Sequence, residues 1–262
     1  MRIARFTIAD QIAFGTVSDG DASDPESLTI TAIDGHPFGP FEPTAASFPL
    51  HEVRLLPPVL PNKVIGIGKN YRDHASEMGG EAPSTPVMFL KPSTSVIGPQ
   101  EAIVLPEQST QVEFEGEIAV VIGRLARDVP RERVADVILG YTCGNDVTAR
   151  DLQREDGQWT RAKGFDSFCP LGPWVETEPD LAGLTVTTAV NGKVRQQSSA
   201  SAMVHSVTDL VVFVSSVMTL LPGDVILTGT PAGVGPLQPG DDVSVSVDGV
   251  GTLNNRAVAS TD

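Results

Sequence analysis

The sequence predicts an α+β fold built on mixed β-sheet with few helices, and three observations lead there. Short apolar runs, alternating or continuous, recur along the chain between Gly, Pro and Asp clusters, the pattern of strands and turns. Helical periodicity is confined to a few short stretches. Strands and helices do not alternate regularly, so a parallel βαβ repeat is not expected. At 262 residues the chain is long enough for a sizeable core, arranged as one large domain or as a main domain with a small one attached.

The elements follow in order. Residues 1–58 carry MRIARFTI, IAFGTVSD, LTIT and the stretch leading to EVRLL, the short alternating runs of a small, mostly β subdomain. The proline-dense LLPPVLPNK resists helix and central strand alike, which sets a boundary there and a main domain over 59–262. KVIGIG reads as a buried strand, NYRDHASEMG as a short helix ended by Gly79 and Gly80, and PVMFLKP and EAIVLPE as two further strands. VEFEGEIAVVI (112–122) reads as one continuous strand, with Phe114, Ile118, Val120 and Ile122 on one face and Glu113, Glu115 and Glu117 on the other.

A helix is expected over 131–138. GYTCGNDVTARDLQRED then passes from strand or loop into helix, with Asp146 placed to cap a turn beginning near Val147. LTVTTAVNGKVRQ reads as a hairpin turning at Asn191-Gly192. Ser206-x-x-Asp209 resembles a capping box and opens a helix over about 207–220 that is apolar on nearly every side and so expected to be buried. PGDVILTGTPAGVG gives a turn, a strand and a Gly/Pro-rich loop, and PGDDVSVSVDGVGTLNNRAV supplies the last alternating strands.

Composition excludes several function classes. Asp plus Glu outnumber Lys plus Arg by 33 to 18, for a net charge of −15, and no basic cluster interrupts this; nucleic acid and anionic membrane are not expected partners. The first residues lack the apolar run and cleavage site of a secretory signal. The longest apolar stretch, LVVFVSSVMTLL (210–221), falls short of the roughly 18–20 residues of a membrane span. Cys143 and Cys169 stand singly, as buried free thiols of a cytoplasmic protein would; a disulfide between them is the alternative.

Three acidic residues in a row need explaining. A solvated edge strand could display them. Glu115 and Glu117, however, are same-face carboxylates roughly 7 Å apart at Cα, able to converge on one hard divalent cation. With no Cys or His cluster nearby, all-oxygen ligands favour magnesium, manganese or calcium over zinc. A third ligand must come from another segment, with Asp146 the best placed and Asp151 its rival in the same segment. Arg150 and Gln153, three apart on a helix, suit a carboxylate of a bound acid, although Arg150 could equally pair with a structural Glu. His74 and Glu77, also three apart, form a dyad able to move a proton; a surface helix pair is the bland reading. Lys163 could neutralise an enolate near a metal or simply face solvent. GTPAGVG (229–235) lets backbone donors approach an anion, but matches neither phosphate-loop nor dinucleotide pattern.

The ordered set GKNYRDHASEMG, PVMFLKPSTSVIGP, VEFEGEIAVVIG, GYTCGNDVTARDLQ, TRAKGFDSFCPLGP and LLPGDVILTGTPAGVG resembles the fumarylacetoacetate hydrolase family over about 63–255. The first 60 residues resemble the accessory domain of its short bacterial members. The resemblance implies a rolled mixed β-sandwich, a homodimer, and a Mg²⁺ or Mn²⁺ centre held by Glu115, Glu117 and Asp146. It implies that His74 and Glu77 activate water on a segment that orders as a lid, that Lys163 is the active-site lysine, and that Arg150, Gln153 and Thr230 meet the substrate. Arg72, beside the dyad, would select a second substrate carboxylate or face solvent. The implied substrate is a small anionic 2-oxo or 2,4-dioxo acid handled through its enolate. Carbon–carbon hydrolysis of an acylpyruvate leads the expectations. The alternatives are isomerisation of a 2-hydroxyhepta-2,4-diene-1,7-dioate type substrate, oxaloacetate decarboxylation or tautomerisation, or, in a different class, a non-catalytic metal-binding structural protein.

Overall fold

A computed structural model describes residues 1–18, 27–77 and 79–260. Among them, twelve strands form one mixed sheet. Its main path runs Phe41–Pro49, Thr29–Gly35, Gln11–Val17, Arg2–Ile8, Cys169–Glu176, Ile138–Asn145, Gly116–Ile122, Val225–Leu227, Val64–Gly68, Val87–Lys91. Pairing along this path is antiparallel except between Val225–Leu227 and Val64–Gly68. A five-stranded sheet, in the order Lys193–Ser199, Thr185–Val190, Asp242–Val247, Gly251–Ala259, Ala102–Leu105, faces it. Ile118, Val120, Ile122, Tyr141 and Cys143 from the first sheet pack against Val186, Val245, Val247 and Leu253 from the second. This is the rolled sandwich the sequence implied, with its core between the two layers.

The small N-terminal subdomain extends the large sheet. Arg2 and Ile3 pair with Glu176 and Val175, and Ala4, Phe6, Val17, Leu28, Ile30 and Trp174 form a separate cluster. The stretch leading to EVRLL forms the strand Phe41–Pro49 although it carries Pro43 and Pro49. It lies at the end of the sheet path, where an edge tolerates the missing N–H groups. Cys169–Glu176 escaped notice in the sequence, since Pro170 and Pro173 interrupt it. The proline-dense boundary has little regular structure, yet Pro57, Pro58, Val59 and Pro61 are buried, so it is packed chain and not a loose tether.

The Asn191-Gly192 hairpin forms with both turn residues at positive φ, 51° and 74°, as this turn demands. Ser206 and Asp209 make a reciprocal capping box, and the helix they open runs Val207–Val217. It buries Leu210, Val211 and Val214 but leaves Val217 48 % exposed, so it is a one-faced helix and not the all-round buried one expected. The 131–138 helix is a 3₁₀ helix over Arg131–Asp136.

The largest departure concerns 112–122, which is not one strand. Val112–Phe114 pairs with Thr148–Ala149 and Gly235–Pro236 in a separate small sheet, while Gly116–Ile122 enters the large one. The ladder breaks because two consecutive backbone N–H groups go to side chains: that of Glu115 donates to Asn145 Oδ1 (3.0 Å), and that of Gly116 to Gln196 Oε1 (3.0 Å). Gly116 is required here, because a Cβ would stand 1.9 Å from Thr188 Oγ1. Every residue from 112 to 122 is buried, which rules out the solvated edge.

Candidate active site

The antiparallel register builds the acidic centre. Gly116 pairs with Asn145 and Glu117 with Gly144, so the next residue of the partner strand, Asp146, falls opposite Glu115. The Asp146 N–H donates to the Glu115 carbonyl at 2.8 Å, closing the junction. One carboxylate oxygen from each of Glu115, Glu117 and Asp146 lies within 4.8 Å of the others, and all three residues are buried. Asp146 therefore does not cap a turn. The following helix starts at Arg150 after a two-residue strand, with Ala149 at its N-cap. Asp151, the rival ligand, is spent elsewhere, accepting from Ser109 and Thr110 (2.6–2.9 Å).

Three buried cations surround the cluster. Lys163 Nζ donates to Glu115 (2.9 Å) and Asp146 (2.6 Å), while Lys91 Nζ donates to the other Asp146 oxygen at 2.6 Å. Arg150 grips Glu113 (2.8 Å), Glu115 and the Gln153 amide oxygen (2.6 Å). Its guanidinium is thus committed to holding Glu115, where a clamp on a bound acid was one expectation; the structural pairing named beside it is the arrangement found. Lys163 is 2 % exposed and does not face solvent.

These contacts divide the carboxylates electrostatically. Burial disfavours the charged form of Glu115, but the Lys163 ammonium and Arg150 guanidinium outweigh it and hold this carboxyl well below the usual range. Glu117 is the opposite case: burial, then the Asp146 and Glu115 carboxylates, push it well above that range. Its Oε2 accepts the Gly229 N–H at 2.6 Å, and among the described residues no Lys or Arg pairs with it. Four carboxylates (Glu113, Glu115, Glu117, Asp146) thus meet three cations (Lys91, Arg150, Lys163) in one buried site. The arrangement lacks positive charge at Glu117. A divalent cation held by Glu115, Glu117 and Asp146 would supply it, so the donor set fits a hard cation of the Mg²⁺ or Mn²⁺ kind.

Above this floor lies a cavity of about 170 Å³, bounded by Ile67, Lys69, His74, Glu115, Gln153, Trp159, Lys163 and Thr230 among others. His74 belongs to a short helix, Arg72–Glu77, and its side chain is 6 % exposed. Its Nδ1 meets Glu77 Oε2 at 3.1 Å, and Glu77 in turn accepts the Gly233 N–H at 3.1 Å. Asn70 fixes the entry to the helix, donating to the Thr228 carbonyl (2.7 Å) and accepting the His205 N–H (2.8 Å). Arg72 is exposed and does not line the cavity. Phe89 lies under Lys163 Nζ (4.9 Å to the ring) and packs edge-on against Trp159. A larger cleft, about 1000 Å³, opens elsewhere, between the N-terminal strands and the Trp174 edge, and holds none of these residues.

The model of the fumarylacetoacetate (FAA) hydrolase C-terminal family matches residues 63–258, and that of the Rv2993c-like N-terminal family matches 1–58.

The chain belongs to the fumarylacetoacetate hydrolase family.

Protein Rv2993c of Mycobacterium tuberculosis is 53% identical over 261 residues, 98% of each chain. Oxaloacetate tautomerase Fahd2a, mitochondrial, of Rattus norvegicus is 41% identical over 229 residues, 82% of this chain and 73% of the relative. Among solved structures, 2-hydroxyhepta-2,4-diene-1,7-dioate isomerase from Mycobacterium marinum superposes with a TM-score of 0.93 at 50% identity, covering 100% of both chains. 5-Carboxymethyl-2-hydroxymuconate delta-isomerase from Mycobacterium smegmatis gives 0.92 at 52%, covering 99% of this chain and 100% of the other. Fumarylpyruvate hydrolase from Pseudomonas aeruginosa, in complex with Mn²⁺ and pyruvate, gives 0.72 at 30%, covering 83% and 93%. Family members of both isomerase and hydrolase type therefore share this fold, and the buried Glu115, Glu117 and Asp146 form a donor set able to hold a divalent metal.

Sequence reasoning missed Lys91, Asn145, Gln196 and Trp159. Lys91 left a faint signal, a lone cation ending an apolar strand. Gln196 left none: it is 1 % exposed between two exposed neighbours on a hairpin strand.

Proposed function

We propose that this protein is a divalent-cation-dependent isomerase of small anionic 2-oxo acids or their enols, shifting a proton between atoms of one substrate molecule. The observation that carries this reading is the place of His74. It lines the cavity over Glu115 and Lys163, with its Nδ1 engaged by Glu77 and its Nε2 left as the ring atom for proton exchange. Glu77, anchored by the Gly233 amide, fixes the orientation of the ring.

Mg²⁺ or Mn²⁺ on Glu115, Glu117 and Asp146 would supply, when bound, the positive charge that polarises a 2-oxo group. Lys163, with its proton retained against burial by Asp146 and Glu115, supplies a fixed ammonium beside the oxygen where charge develops. Arg150 keeps Glu115 ionised and in place, Gln153 keeps its amide N–H₂ for substrate oxygens, and Thr230 closes the floor of the cavity. The Phe89 and Trp159 wall limits water beside Lys163. In an isomerisation His74 takes a proton from one substrate atom and returns it to another, so every atom of the substrate is kept and no water is consumed. Similarity to two isomerases of unsaturated 2-hydroxy acids and to an oxaloacetate tautomerase supports this outcome over cleavage. Hydrolysis is the second reading, supported by the intact His74–Glu77 pair and by the likeness to fumarylpyruvate hydrolase.

A product-resolved NMR assay tests the proposal, using 2-hydroxyhepta-2,4-diene-1,7-dioate, oxaloacetate and an acylpyruvate with and without Mg²⁺ or Mn²⁺. The expected result is cation-dependent double-bond migration or keto–enol exchange with no new carbon fragment. Release of pyruvate and a carboxylic acid from the acylpyruvate as the main cation-dependent reaction would replace isomerisation with hydrolysis, release of pyruvate and carbon dioxide from oxaloacetate would replace it with decarboxylation, and absence of any turnover would favour a structural metal protein.

A further inference from the structure

We infer that Gln196 is a positioning residue that ties the cation-binding strand to the loop anchoring the His74–Glu77 pair. The inference rests on the reading of Glu115, Glu117 and Asp146 as cation ligands. Gln196 comes from the five-stranded sheet, on the hairpin strand Lys193–Ser199, and reaches the centre from behind. Its Oε1 accepts the N–H of Gly116, the residue between two of the three ligands, at 3.0 Å. Its Nε2 donates to Thr230 Oγ1 and to the Pro231 carbonyl, both at 2.7 Å. Thr230 Oγ1 donates onward to the Gly116 carbonyl at 2.9 Å. One amide side chain therefore holds both backbone polar groups of Gly116, the N–H directly and the carbonyl through Thr230.

The same loop carries the other two connections. Gly229 N–H donates to Glu117 and Gly233 N–H to Glu77. Gly233 can approach only as glycine: a Cβ would lie 2.1 Å from the Arg195 carbonyl, on the strand that presents Gln196. Residues 229–233 are thus clamped between the ligand strand and the Gln196 strand, and they fix Glu117 at one end and Glu77 at the other. Because Gln196 is buried and uses its acceptor and both donors, no smaller or apolar side chain can reproduce the arrangement. An apolar replacement leaves the Gly116 N–H and the Pro231 carbonyl without these partners in a dry site, and the Thr230 hydroxyl without the donor it accepts. Partners of this kind around metal ligands are typically worth about 10–100-fold in affinity or activity.

The test uses Mn²⁺ alone, with affinity measured by calorimetry and loop order by hydrogen exchange at the Gly233 amide. Gln196→Leu is expected to weaken Mn²⁺ binding by about 10–100-fold and to speed Gly233 exchange. Gln196→Glu keeps an oxygen for Gly116 but loses the amide donors. It should speed Gly233 exchange while holding Mn²⁺ closer to wild-type strength than Gln196→Leu does, and it serves if the leucine variant does not fold. Val247→Ala, a core truncation in the same sheet outside the network, should lower the melting temperature and change neither readout. Wild-type Mn²⁺ affinity and Gly233 protection in both Gln196 variants would overturn the inference, as would a parallel loss in Val247→Ala. A wild-type protein that binds no Mn²⁺ would instead overturn the cation reading on which the inference stands.

Discussion

The floor of the site and the helix above it are built by opposite means. The floor residues Glu115, Glu117, Asp146, Lys91, Arg150 and Lys163 are all buried. They sit at or beside strand or helix ends fixed by register, and all but Glu117, which accepts the Gly229 N–H, are held by charge-assisted hydrogen bonds between side chains. The helix Arg72–Glu77 has six residues, too few to be stable alone, and only His74 and Ala75 of it are buried. Glu77 is 36 % exposed and Gly79 and Gly80 follow it. What this difference teaches is a division of labour. On the proposed function, the floor must hold a hard cation with fixed ligands, whereas the proton-transfer group above it must let substrate in and out.

The comparison can be broken most directly at Lys163. Lys163→Met strips both Glu115 and Asp146 of a buried partner, and loss of one member of such a pair costs about 3–5 kcal/mol. Denaturant unfolding in EDTA should show that loss, and added Mn²⁺ should return part of it, because the ion supplies charge at the same carboxylates. Wild-type stability in EDTA would show that the floor is not held together by these charges.

His74→Ala probes the other region and should act almost wholly on turnover. Removing a general acid–base group costs about 10²–10⁴ in kcat. Mn²⁺ affinity should remain as in wild type and the stability loss should be far smaller than for Lys163→Met. A variant that loses the cation along with turnover would merge the two regions into one.

Hydrogen exchange sharpens the contrast without mutation. The amides of Ala75, Ser76 and Glu77 should exchange through local opening, whereas Ala119 and Val120, paired on both sides within the large sheet, should exchange only on global unfolding. Equal protection would mean that the helix is as fixed as the floor.

The smallest expected effect is no effect. Burial pushes the Cys143 and Cys169 thiols up to about 12, so at pH 8 the thiolate fraction is on the order of 10⁻⁴. Cys169 lies in the field of Lys91 and Asp146, close to the floor. Native protein should therefore resist a thiol reagent at pH 8, with and without Mn²⁺; labelling of Cys169 in EDTA alone would show that the floor opens when the cation is removed.

Much of this molecule is written in short stretches of its sequence. The Asn191-Gly192 turn, the Ser206–Asp209 box and the alternation in DVSVSV are local, because turn geometry, capping and strand faces depend on residues a few positions apart. The order of its motifs sufficed to imply the family and the three acidic residues. The rest depends on which distant backbones meet. No local pattern announces that the chain changes sheets at Glu115, since the cause lies in the side chains of Asn145 and Gln196. Nor could Arg150 be assigned to Glu115 and Glu113 before its helix was docked on the strand that carries them. Lys91 looks like any strand-ending lysine until the sheet sets it against Asp146. Periodicity fixes which face a side chain occupies, whereas its partner is fixed by non-local register and burial, where desolvation turns proximity into a strong preference for particular charge pairs.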